Sequence, residues 1–140
     1  IGWKVSWEMF KREPFTGVGV GGKNFGGYRV ANRIDGEEEA CSLQSHILYG
    51  QILAEQGVFG ALLFLGMVIS TARSAIVSRK KTIGDSGNEL AIHALSGSIL
   101  VSLVLLLLLG FGGHNFYRPL WLWLAAWSSV ICRLSCRWEQ

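Results

Sequence analysis

Charge is scarce in this chain: Asp, Glu, Lys and Arg make up 16% of its 140 residues, and the net charge is +3. No basic run interleaved with aromatic residues occurs, which removes nucleic acid from the expected partners. Cysteine is limited to three residues, Cys41, Cys132 and Cys136, an odd number without metal-ligand spacing. Neither a disulfide framework nor a zinc site is expected from them. The first residues, GWKVSWEMFKRE, are amphipathic and charged, and they are not expected to be the apolar core of a signal peptide. The chain opens on Ile1 rather than Met, and we read it as a piece of something longer. What it has in quantity is apolar surface: half of the residues are hydrophobic, and the mean hydropathy is +0.34. These values point to a membrane protein.

Glycine is also plentiful, and the stretch PFTGVGVGGKNFGGY, residues 14 to 28, fits two nucleotide-binding templates. Gly17, Gly19 and Gly22 satisfy G-x-G-x-x-G. Gly17 to Lys23 satisfies the first seven positions of the P-loop, with Asn24 where Ser or Thr should stand. Both templates need a buried strand before the glycines and a helix opening directly after them, whose N-terminal N–H groups hold phosphate. Neither context is expected here, so no nucleotide is expected. The stretch reads as a shaped turn that brings backbone close to the membrane surface or to substrate, with a flexible spacer as the plainer alternative.

Apolar periodicity then organises the chain into helices, and the expected fold class is all-α: a polytopic helical membrane protein. Trp3, Trp7 and Phe10 fall at i, i+4 and i+7, one apolar stripe on a short helix that Pro14 ends, and such a stripe suits the headgroup zone. Residues 1 to 45 are expected to form an extracytoplasmic loop carrying this helix. From His46 onward, Gly50, Leu53, Gly57 and Gly60 share one helical face with the histidine, a small-residue face of the kind that lets backbones approach. Spans are expected at about 57 to 77, 90 to 109 and 120 to 134, within a membrane region of 46 to 134, followed by a cytoplasmic tail of 135 to 140. Four basic residues, Arg73, Arg79, Lys80 and Lys81, crowd the short connector between the first two spans, which assigns that connector to the cytoplasm and the glycine stretch to the opposite side.

Three blocks resemble the C-terminal part of the O-antigen ligase and Wzy-type polymerase superfamily of bacterial inner-membrane glycan transferases. The first is W-x-x-x-W-E-M-F-K-R-E-P-F-T-G-V-G, beginning at Trp3. The second is S-H-I-L-Y-G-Q-I-L-A-E-Q-G-V-F-G, residues 45 to 60. The third is an aromatic, histidine-containing turn, GFGGHNFYRP at 110 to 119, before a Trp-rich final span. The resemblance implies a multi-pass protein of the inner membrane with its active face in the periplasm, working in lipopolysaccharide biosynthesis. It implies an undecaprenyl-diphosphate-linked glycan donor, a lipid or growing-polymer acceptor, and no metal, cofactor or nucleotide. His46 matches the family histidine and is the expected catalytic residue. A family arginine just before the amphipathic helix would precede Ile1 and is not assigned.

The chemistry agrees with those residue types. Breaking a sugar–diphosphate bond needs negative charge stabilised on the leaving group, for which guanidinium is suited by bidentate pairing. Activating the acceptor hydroxyl needs a base, for which imidazole is suited. Arg29, Arg33, Tyr49, His114 and Arg118 are the expected substrate-contacting residues, all on the outward side. Glu55 is expected to position the helix, and His93 to be a satisfied interfacial histidine. Ligation to a lipid core is the leading activity, with a polymerase of lipid-linked repeats beside it. A transporter or channel in which His46, His93 and His114 mark a proton or solute path is the reading from another class.

Overall fold

A computed structural model describes residues 2–34, 47–82, 87–113 and 117–137. These form five α-helices: α1 (Gly2–Arg12), α2 (Gly22–Ala31), α3 (Leu48–Lys81), α4 (Gly87–Leu109) and α5 (Leu120–Arg137). The all-helical class is as expected, and there is no strand among the described residues. The chain divides into two compact units, Ile1–Phe64 with Leu108–Tyr117, and Leu65–Leu107 with Arg118–Gln140.

In the first unit α1 turns Val5 and Met9 inward, where they meet Phe25 of α2, Ile34 and Ala54 of α3, with Val18 and Tyr28 packed against them. The Trp3–Trp7–Phe10 stripe is a different face. Trp3 and Trp7 are exposed and stacked on each other, ring centroids 6.3 Å apart, and Phe10 follows at 5.4 Å from Trp7. Two apolar faces on one short helix leave one for the core and one for another medium.

Helix α2 is a departure from the sequence reading, which had a loop there. Its sequence, GKNFGGYRVA, holds three glycines and has poor intrinsic propensity. It forms because Phe25, Gly26 and Arg29 fall on one face and are buried, so that packing supplies what propensity does not. A helix therefore does open directly behind the glycines.

Helix α3 is two helices merged across a kink at Gly57, whose φ of 64° and ψ of −160° are not helical. The sequence reading treated Gly57 as part of a continuous small-residue face. In the structure it is the break in that face. Gly66, by contrast, would give a Cβ nothing to touch within 4 Å.

In the second unit Ala75 of α3, Ile92 and Ile99 of α4 and Ile131 of α5 form a cluster with Leu100 and Leu124. Among the other buried positions of this unit are Thr71, Ser78, Ser96, Ser128 and Ser135, all small and hydroxylated. Four of these hydroxyls donate to carbonyls one turn back on their own helix, at 2.8–2.9 Å, so they pack closely without needing a partner elsewhere. His93 Nδ1–H donates to the Arg79 carbonyl at 3.1 Å. This histidine is satisfied locally, as expected.

Helices α3 and α4 are each long and apolar enough to cross a membrane, with 28% of the apolar window buried in each. Leu62, Leu63, Leu65 and Ile69 on α3, and Leu90, Leu95, Val101, Val104, Leu105, Leu108 and Leu109 on α4, are exposed. So much outward-facing aliphatic surface on helices of this length is suited to lipid. The apolar part of α5, Leu120–Cys136, is shorter.

Candidate functional site

The break at Gly57 takes two hydrogen bonds out of α3. A regular helix would pair Val58 N–H with Ala54 C=O and Phe59 N–H with Glu55 C=O. Instead the segment that follows α1 enters the gap. Val18 and Gly19 N–H donate to the Ala54 and Glu55 carbonyls at 2.8 and 3.0 Å, and Val58 and Phe59 N–H donate to the Pro14 and Phe15 carbonyls at 2.8 and 3.4 Å. These four backbone groups are thus paired across the chain and not left bare.

Such an insertion works only if both segments come close without side chains between them. A Cβ on Gly57 would lie 2.4 Å from the Phe15 carbonyl oxygen, and one on Gly17 would lie 2.4 Å from the Glu55 carbonyl carbon. Both residues also have positive φ, 67° for Gly17 and 64° for Gly57. The first two sequence blocks, PFTGVG and AEQGVFG, are therefore two halves of one interlocked structure.

Glu55 closes it. The residue is fully buried, and its Oε2 accepts the Gly21 N–H at 3.0 Å and the Tyr117 hydroxyl. Gly21 N–H is shared with the Tyr117 oxygen at 2.9 Å, and Gln51 Nε2 donates to Glu55 Oε1 at 3.0 Å. Gly21 is the N-cap of α2, whose first turn carries no acidic residue of its own. The carboxylate of Glu55 thus sits where a helix N-terminus favours negative charge. One N–H of the glycine stretch, that of Gly21, meets a carboxyl group of the same chain. Burial and the neighbouring Glu55 push the Tyr117 phenol up to about 12.

Gly110 and Phe111 are held against the start of α3 as well. Leu48 N–H donates to the Gly110 carbonyl at 2.9 Å, and the Tyr49 and Phe111 rings meet at 4.8 Å. Trp3, Ile47, Tyr49 and Phe111 line an apolar cavity of about 420 Å³.

Of the residues proposed from sequence, Tyr49 is half-buried at this cavity, and Arg29 is enclosed on α2 at 3% exposure. Arg33 is exposed in the turn after α2, with φ 47°. Arg118 is exposed and belongs to the second unit. His46 and His114 lie outside the described residues, as does Cys41. Sequence reasoning gave Glu55 a helix-positioning role but missed Tyr117 and Gln51. The usable signal was a carboxylate in an apolar helix, which must find partners. Those partners could not be named, because Tyr117 is 62 residues away and Gly21 is 34 away.

No curated protein and no solved structure matches the chain. Residues 1–65, which contain α1, α2, the glycine turn and the break in α3, match the family model described as O-antigen ligase, and the resemblance of the sequence blocks is borne out over that stretch.

Proposed function

We propose that this chain is part of a membrane glycan transferase that moves an undecaprenyl-diphosphate-linked, O-antigen-like polysaccharide onto a lipid core acceptor at the periplasmic face of the bacterial inner membrane. The observation that carries this reading is that the family match of 1–65 covers the interlocked turn and broken helix. In this reading residues 1–45 are periplasmic and α1 lies in the interface with Trp3 and Trp7 toward lipid. Residues 46–134 are the membrane region, with α5 as a third span over about 120 to 134, and 135–140 are a cytoplasmic tail.

The reaction forms a bond between an acceptor hydroxyl oxygen and the anomeric carbon, and breaks the bond from that carbon to the diphosphate. His46 takes the hydroxyl proton. Arginine guanidinium balances the charge that collects on the departing diphosphate. Arg33, exposed beside the end of α2, is better suited to that contact than the enclosed Arg29. Tyr49, His114 and Arg118 complete the set of proposed substrate contacts. Satisfaction of His93 by a backbone carbonyl weighs against a line of histidines carrying protons.

Replacing His46 with alanine in the protein in its native membrane is expected to lower glycan transfer by about 100-fold or more, with expression and insertion unchanged. Near wild-type transfer by that variant would remove His46 from the mechanism. Product made as longer lipid-linked chains, rather than as glycan on the acceptor lipid, would favour the polymerase.

A further inference from the structure

We propose that Glu55 is a positioning residue for the transfer reaction, acting through Gly21 and Tyr117 rather than on substrate; this rests on the transferase reading above. Three segments of the first unit meet at its carboxylate: the N-cap of α2, the helix turn before the break in α3, and Tyr117 at the end of the 108–117 segment. The carboxylate is fully buried and three donors converge on it directly, so it is not open to substrate. What it controls is where the inserted turn and the Tyr117 segment sit relative to the start of α3.

The surrounding groups separate a geometric role from a charge role. Oε2 of Glu55 takes both the Gly21 N–H and the Tyr117 O–H, whereas Oε1 takes one donor from Gln51. Gln51 Oε1 is itself buried without a hydrogen-bond partner. In Glu55→Gln the new amide oxygen can keep the Gly21 and Tyr117 bonds. Its NH2 then faces Gln51, whose side-chain amide can turn over and accept with the oxygen that now has no donor. The glutamine variant therefore preserves the junction without the charge. Glu55→Ala removes every bond at once, and Tyr117→Phe removes one arm while keeping the ring.

Two readouts test this in the intact protein in membranes. The first needs no glycan: hydrogen–deuterium exchange over the peptide containing Val18, Gly19 and Gly21. Exchange there should rise about tenfold or more in Glu55→Ala, rise less in Tyr117→Phe, and stay near wild type in Glu55→Gln. The second is transfer kinetics, where kcat should fall about tenfold or more in Glu55→Ala with KM little changed, while Glu55→Gln keeps kcat within about threefold. Unchanged exchange and kcat in Glu55→Ala would overturn the proposal. A Glu55→Gln protein as inactive as Glu55→Ala, with exchange intact, would also overturn it by showing that the charge itself is used. If the wild-type protein transfers no glycan, the transferase reading fails, and exchange alone then decides whether the junction exists.

Discussion

Placing a methyl group on Gly57 puts it 2.4 Å from the Phe15 carbonyl oxygen, at φ 64° and ψ −160°, a region that only glycine occupies comfortably. The backbone strain and the clash each cost about 1–3 kcal/mol. Gly57→Ala should therefore lower stability by about 2–6 kcal/mol, measured as unfolding in detergent micelles, and Gly17→Ala should behave similarly. Gly66→Ala, with nothing near its Cβ and an ordinary helical backbone, should change stability by less than about 1 kcal/mol. Equal losses at Gly57 and Gly66 would mean that Gly57 is only a member of a small-residue face. Tyr117 carries a second residue-scale expectation. Its folded value of about 12 lies above the ordinary tyrosine value of 10.0, so the protonated phenol is the form that folding favours. Its contribution is complete below about pH 10 and is lost as pH rises toward about 12. The phenolate absorbance of wild type minus that of Tyr117→Phe should show a group titrating near that upper value, and a midpoint near 10 would place the hydroxyl in water. Neither residue's role was legible in the chain, because one depends on a carbonyl contributed by Phe15 and the other on a carboxylate 62 residues away.

At the scale of elements, α1 separates its two apolar faces cleanly. Met9 is fully buried, and Met9→Ala should cost about 2–5 kcal/mol. Trp3 and Trp7 are each 45% exposed. Replacing both with serine should leave stability within about 1 kcal/mol while reducing the quenching of tryptophan fluorescence by lipids brominated near the headgroup. Unaltered quenching would separate this face from the membrane surface. The stripe itself was readable from spacing, and so was the end of α1 at Pro14; α4 and α5 were readable from continuous apolar runs. Helix α2 was not, since GKNFGGYRVA is a poor helix former and its formation is decided by the burial of Phe25 and Arg29. The kink in α3 was hidden for a related reason. An i, i+4, i+7 pattern that includes Gly57 looks the same whether the helix runs through that residue or stops at it.

For the whole molecule, sequence carried class and family further than it carried the site. Long apolar helices state a medium by composition alone, and the two blocks later found interlocked lie within the stretch that matches the O-antigen ligase family model. The site is harder because its bonds join residues 14–21 to 54–59 and to 117, pairings that no local pattern encodes. Orientation is open to direct test with two of the three cysteines. Cys41 should react with a membrane-impermeant thiol reagent added from the periplasmic side, and Cys136 only after the membrane is permeabilised. The reverse pattern would invert the topology. The decisive measurement for function follows the glycan itself. Membranes containing the protein are supplied with a radiolabelled glycan on a polyprenyl diphosphate together with the acceptor lipid. The label should move from the donor to the acceptor lipid with wild type and stay on the donor with His46→Ala; label that stays on the donor with wild type, although the protein is inserted and folded, would contradict the transferase reading.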